Sequence, residues 1–273
     1  MQEYYLDNNR IYYRTNEFKP DRITLVFVHG VSGSSSAWLS YESIFENKYN
    51  ILFYDIRGHG LSKKYPNYED YEMKKFADDL YDLVSYLHIS KFVLVSNSFG
   101  SLIALEYLKS HRETVLANIF TSPEIYLEEG TLAKISRPIL KLANGILSIL
   151  PFDPKPRGRV DYSKYLNSKD LDIGRNIADM MNTTMRVHFY VLAQSLKKNQ
   201  EYFLEKITTP TLIIHGENDT FVPTENSIRM SKEIKNSVFM SIPNVQHDTA
   251  RNSVKEISEA IESFIEKNKA TFS

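Results

Sequence analysis

The pentapeptide Ser96-Asn97-Ser98-Phe99-Gly100 directly follows an apolar run and opens a helical one, Ser101-Leu102-Ile103-Ala104-Leu105. A serine on such a strand-to-helix turn projects its hydroxyl above the edge of a sheet. The helix behind it offers free backbone N–H groups to developing negative charge. That combination suits attack on a carbonyl carbon. The turn is cramped, so small residues are needed two before and two after the attacking serine. Ser98 has Ser96 and Gly100 at those distances, whereas Ser96 would have Leu94 and Ser98. Ser98 is therefore the expected nucleophile, although the pentapeptide alone is equally compatible with a serine-rich turn that does no chemistry. The absence of cysteine excludes a thiolate nucleophile, a Cys-ligated metal and a disulfide framework. No H-x-x-x-H pair and no G-x-G-x-x-G fingerprint occurs, so neither a metal nor an organic cofactor is expected.

A serine presented in this way needs a sheet beneath it. Ile23 to Val28 is a continuous apolar run closed by His29-Gly30, the pattern of a strand buried on both faces, as in a parallel sheet. Similar runs occupy Asn50 to Tyr54, Phe92 to Val95, Asn118 to Phe120, Leu212 to Ile214 and Val238 to Ile242. Helical spacing of apolar residues lies between them, at Tyr71 to Leu87, Leu102 to Leu108 and Val254 to Ile265. Tyr4 to Leu6 and Ile11 to Arg14, around Asp7-Asn8-Asn9, read as a hairpin. The alternation predicts an α/β fold with a mainly parallel sheet flanked by helices, and ligands then sit beyond the carboxyl ends of the strands.

One stretch breaks the alternation. From Pro123 to Gln200 there is no convincing buried strand. Ile135 to Leu150 carries two apolar stripes, so this helix is expected to be buried or to cap something. Pro151 to Arg159 holds three prolines, and Ile173 to Leu196 is helical again. The expectation is a helical cap, 123–200, inserted into a core formed by 1–122 and 201–273.

Bulk composition narrows the partners. A chain of 273 residues with 42% hydrophobic content can bury one large core. A formal net charge of -1 gives no basic excess that would argue for nucleic acid. The longest nearly apolar stretch, Ile139 to Leu150, is shorter than the roughly 20 residues that span a bilayer, so no stable membrane insertion is expected. The polar, aromatic start of the chain does not read as a signal peptide, which leaves a cytoplasmic location as the expectation.

Three further motifs follow core strands: Val28-His29-Gly30-Val31-Ser32-Gly33, Asp55-Ile56-Arg57-Gly58-His59-Gly60-Leu61-Ser62, and Gly216-Glu217-Asn218-Asp219 running on to Pro223. Pro243-Asn244-Val245-Gln246-His247 follows the last strand. With the Ser98 turn, these resemble the α/β-hydrolase superfamily, in its capped esterase, lipase and monoacylglycerol-lipase-like branch. The resemblance covers both sides of the cap and implies the chain order nucleophile, acid, base. It points to His247 as the general base that a weak serine nucleophile requires. It points to Asp219, four residues before Pro223, as the acid orienting that base, with Glu217 as a nearby competitor. It assigns the oxyanion hole to the backbone N–H groups of Phe99 and Val31. His29, His59 and His215 are expected to brace loops, Arg57 to pin a loop through a carboxylate, and His88, His111 and His188 to be ordinary surface or packing residues. Gln246 stands where the family often has glycine, and Asn244 is a candidate for the positive φ that a glycine would supply.

The function these residues imply is cofactor-free hydrolysis of a small-molecule carboxylic ester through an acyl-enzyme. The apolar cap suggests a hydrophobic acyl or alcohol group, such as a medium-chain ester or monoacylglycerol, with Met180 and Met181 as the pocket wall. Within the resemblance, aminopeptidase, thioesterase, lactonase and C–C hydrolase activities stay open, as does a non-catalytic binding role. Haloalkane dehalogenases and epoxide hydrolases of this fold use Asp at the nucleophile turn, where this chain has serine.

Overall fold

The computed structural model describes residues 1–7, 10–155, 158–165, 168–197 and 203–272. The chain opens with β1 (Gln2–Leu6) and β2 (Ile11–Thr15), the antiparallel hairpin anticipated from their β-rich runs. Of its turn, Asn8 and Asn9 lie outside the described residues. There follow β3 (Thr24–Val28), α1 (Leu39–Phe45), β4 (Asn50–Tyr54), α2 (Met73–Tyr86), β5 (Phe92–Asn97), α3 (Gly100–His111) and β6 (Val115–Thr121). Next come α4 (Thr131–Ile149), α5 (Ile173–Thr183) and α6 (Met185–Ser195). The chain finishes with β7 (Thr211–Gly216), α7 (Thr224–Glu233), β8 (Ser237–Ile242), α8 (Thr249–Asn252) and α9 (Val254–Asn268).

The strands form one eight-stranded sheet in the order β1-β2-β4-β3-β5-β6-β7-β8, parallel from β4 to β8. The inner strands are mostly apolar along their middles because both faces are covered, and their polar residues, such as Thr24, Asn50, Ser96 and Thr121, stand at the strand ends. Val26, Val28 and Leu94 point to the side of Leu80, Leu83 and Ile103, from α2 and α3. Leu25, Phe27, Val93 and Val95 point to the side of Trp38, Phe45, Ile257 and Ile261, around α1 and α9. Burial on two faces removes the alternation a one-sided sheet would show.

Between β6 and β7 the described residues contain α4, α5 and α6 and no strand. The expected boundary at Gln200 and Glu201 lies outside the described residues. The two apolar stripes of α4 have different fates. In the stripe Leu140, Ala143, Leu147 and Leu150, Leu140 is buried with Leu196 and Phe189, Ala143 and Leu147 are half-buried, and Leu150 is exposed. Ile135, Ile139, Leu142, Ile146 and Ile149 are all more than half exposed. A lone helix laid on a body can bury only the face turned toward it, and α4 has no layer outside it among the described residues. No helix among the described residues is long and apolar enough to cross a membrane.

Candidate active site

β5 ends at Asn97 and α3 begins at Gly100, so Ser98 sits on a turn of two residues. The turn forces Ser98 to φ +51, a left-handed conformation that costs a residue with a Cβ on the order of 1–3 kcal/mol. It is held by Ser98 N–H donating to Thr121 O (3.0 Å) and Ser101 N–H donating to Ser98 O (2.8 Å). The requirement for small neighbours has a direct cause at Gly100. A Cβ there would stand 2.6 Å from Val28 O and 2.8 Å from His29 O. Ser96, the other serine of the turn, is fully buried in β5, and its hydroxyl has no hydrogen-bond partner among the described residues.

Ser98 Oγ lies 2.8 Å from His247 Nε2, and His247 Nδ1 lies 2.7 Å from Asp219 Oδ2. We assign the tautomer from this network: Nδ1–H donates to Asp219, and Nε2 accepts from the Ser98 hydroxyl. Asp219 lies in the loop between β7 and α7, and its side chain is wholly buried. Its Oδ2 also accepts from His215 Nε2 at 2.9 Å, and its Oδ1 accepts from Phe221 N–H and Val222 N–H, both at 2.8 Å. Burial works against ionisation of this carboxyl. The donors from His215 and His247 outweigh it and hold the group well below the usual carboxylate range. At His247, burial disfavours the imidazolium, but the Asp219 carboxylate, with Glu124 and Asp170, overcomes that and raises the pKa above 6.5. The arrangement can accept a proton from Ser98 and stabilise the resulting imidazolium.

The Gly30 position is tight against Ser98: a Cβ built there would lie 3.1 Å from that of Ser98. The backbone N–H groups of the next residue, Val31, and of Phe99 have no acceptor among the described residues. Glu217 is exposed, with Ser241 Oγ–H donating to it at 3.3 Å, while Asp219 holds the contact to His247. Asn244 takes φ +59 in the loop leading to His247. Met180 is partly exposed and Met181 half-exposed on α5. The motif histidines brace loops. His29 Nε2 accepts from Ile56 N–H (3.1 Å), and His59 packs against His29 with its Nδ1 on Arg57 O. Arg57 Nε donates to Asp79 of α2 at 2.7 Å.

Sequence reading missed several residues. His188 of α6 is not an ordinary surface or packing residue, because its Nδ1 bonds Ser32 Oγ in the loop after β3. Its signal, a lone histidine 156 residues from its partner, is not local. Glu124, three residues after β6, is buried and faces His247 and Asp219. Burial pushes its carboxyl up to about 7 against the opposing pull of His247 and a bond from Ser195. Asp170, buried just before α5, accepts from His247 N–H. Only the Gln246 departure hinted at an unusual partner for that loop.

The description alpha/beta hydrolase fold belongs to a family model that matches residues 23–250. Among curated relatives, a proline iminopeptidase of Pestalotiopsis fici is 24% identical over 268 residues, covering 92% of this chain and 93% of its own. A non-heme chloroperoxidase of Kitasatospora aureofaciens is 26% identical over 233 residues, covering 77% of this chain and 79% of its own. Among solved structures, a thermophilic esterase from Thermogutta terrifontis aligns with TM-score 0.72 at 19% identity, covering 94% of this chain and 93% of that one.

Proposed function

Because this chain belongs to the α/β-hydrolase fold family, we propose that it is a serine hydrolase of carboxylic esters. Ser98 Oγ attacks the ester carbonyl while His247 Nε2 takes its proton. The tetrahedral oxyanion lies against the N–H groups of Phe99 and Val31, donors of a kind each worth about 10²–10³ in turnover. His247 passes the proton to the leaving alcohol, and an acyl-enzyme on Ser98 remains. Water then attacks, activated by the same imidazole, and releases the acid. Asp219 holds one tautomer throughout and offsets the imidazolium charge.

The observation that carries this reading is the unbroken hydrogen-bonded chain Ser98–His247–Asp219, with bonds of 2.8 and 2.7 Å. The relatives span peptidase, peroxidase and esterase names at low identity, so the substrate class rests on the site. The segment between β6 and β7 serves in this reading as a lid of the monoacylglycerol-lipase-like kind, with Met180 and Met181 facing a hydrophobic acyl or alcohol chain. Both residues keep exposed surface that a bound chain would cover. No metal or organic cofactor enters the mechanism.

The test combines a fluorophosphonate probe with a panel of acyl esters of graded length. Label on Ser98 and turnover of at least one ester are expected. Label on Ser96, or labelled protein that turns over no ester, would overturn the corresponding half of the reading.

A further inference from the structure

We infer that Asp170, from the segment between β6 and β7, is a positioning residue that fixes the base His247 against the loop carrying the acid. The segment is then part of the catalytic frame and not only a cover. The inference rests on the roles proposed above for His247 and Asp219, and it concerns a residue that does not touch substrate.

Asp170 is 1% exposed. Its Oδ1 and Oδ2 both accept from His247 N–H, at 3.0 and 3.2 Å. Its Oδ2 also accepts from Thr220 N–H at 3.1 Å and Thr220 Oγ–H at 2.7 Å. Thr220 is the residue directly after Asp219. One carboxylate thus bonds the base's own backbone and the neighbour of the acid, and sets the spacing between two loops that approach from different strands. All these donors come from the two loops of the proposed triad. A carboxylate serving only to seal the segment would draw its donors from the segment.

Asp170 is itself held from both sides. Its N–H donates to Gln246 Oε1 at 2.9 Å, and its carbonyl accepts from Arg175 at 3.0 Å and Asn176 at 3.0 Å. Arg175 also reaches Asp248 at 2.9 Å, on the other side of the base. Residues 246, 247 and 248 are therefore each tied to the same short stretch ahead of α5 or its first turn. This accounts for Gln246: its side chain supplies the acceptor for Asp170 N–H that a glycine lacks. The positive φ of the loop lies at Asn244, and position 246 carries a side chain.

The physical consequence is preorganisation. His247 needs its Nε2 near Ser98 and its Nδ1 on Asp219 at the same time. A misplacement of about 1 Å in such a pair costs roughly 10²-fold in rate. The carboxyl groups facing His247 are Asp219 from the loop after β7, Glu124 from the turn after β6, and Asp170 from the stretch before α5. Loss of the Asp170 charge leaves the other two and makes the imidazole less basic.

The experiment uses the full chain and variants Asp170→Asn and Asp170→Glu. It measures the rate of Ser98 phosphonylation by a fluorophosphonate across pH, ester kcat and KM, and melting temperature. For Asp170→Asn, phosphonylation and kcat should both fall about 10²-fold with KM within about threefold. The acid limb of the phosphonylation profile should move to lower pH, and Asp170→Glu should recover part of the rate. A phosphonylation rate per folded molecule equal to that of the unsubstituted protein, with an unshifted acid limb, would reduce Asp170 to a fold-stabilising role and overturn the inference. If Asp170→Asn does not fold, Thr220→Val removes only the 2.7 Å bond and decides on the same readouts. Slower phosphonylation at an unchanged melting temperature supports the inference, and an unchanged rate overturns it. Because phosphonylation needs no knowledge of the substrate, slowed labelling in a protein that hydrolyses no ester would sink the ester reading and leave Asp170 standing.

Discussion

Asp219→Asn is the sharpest perturbation of the proposed mechanism. The carboxylate accepts four hydrogen bonds, from His215, His247, Phe221 and Val222. An asparagine can keep its oxygen on the two backbone donors. Its NH2 group then faces His215 Nε2 and His247 Nδ1, where acceptors are required. His247 can satisfy it only by moving its proton to Nε2, which turns the group facing Ser98 from acceptor into donor. The nucleophile loses its base while every atom stays close to its place. In a serine triad that change costs about 10⁴ in kcat, or about 5 kcal/mol of transition-state stabilisation. Stability should fall as well, and the sign follows from the depressed carboxyl. A group whose folded pKa lies below its unfolded value of about 3.9 stabilises the fold at all higher pH, and that contribution fades as pH falls through the folded value. The variant should therefore melt lower at pH 7, with the gap closing in acid. The assay is steady-state turnover of the best ester, beside melting curves from pH 2 to 8. Glu217→Gln is the control, expected to stay within about tenfold because Glu217 is exposed. If Asp219→Asn keeps more than about a tenth of kcat while Glu217→Gln collapses, the acid is misassigned.

Glu124→Gln should move the acid limb of kcat/KM to lower pH, since the Glu124 carboxylate raises the pKa of His247. The same variant should lose less stability between about pH 4.5 and 7, because the native carboxyl, held up to about 7, keeps a proton that the unfolded chain has already released; parallel pH–rate and pH–melting curves check both. On α4, Leu140→Ala should cost about 2–5 kcal/mol and Ile146→Ser about 0.5 kcal/mol or less, by denaturant titration, because the first residue is buried and the second is on the exposed stripe. Met180→Trp or Met181→Trp should shorten the preferred acyl chain and spare acetate esters; a lower melting temperature with an unshifted chain-length profile would show packing inside the segment instead.

Features that depend on a few neighbouring residues were legible in the chain. The inner strands announced themselves because burial on two faces favours apolar side chains at consecutive positions, as in Leu25 to Val28 and Phe92 to Val95. The size limit around Ser98 could be read at fixed spacing because Gly100 approaches β3 so closely that a Cβ there would stand 2.6 Å from Val28 O. Asn244 was readable as the left-handed residue because few side chains tolerate that conformation. α1 and α7 were not read. α7 buries only Ser227 and Met230 and so carries no apolar period, and α1 is a single short helix of seven residues.

The harder misses share a cause. Apolar spacing along α4 states how much of the helix avoids water, but not which side finds a partner. The structure covers the stripe of Leu140, Ala143 and Leu147 in part and leaves that of Ile135, Ile139 and Leu142 in solvent. His188, Glu124 and Asp170 are each polar residues whose meaning lies in a contact far along the chain, 77 residues away for Asp170 and His247. No local rule separates such a carboxylate from a solvated one. The one trace was a departure: a long polar side chain at position 246, where the resembled family often has glycine. Departures of this kind carry information because a glycine is usually there for backbone freedom or space, and a protein that gives it up must have relocated the constraint. Here the freedom went to Asn244, and the side chain gained at Gln246 went to Asp170. The part of the site that escaped local reading is thus the part in which the segment between β6 and β7 bonds the loop of His247.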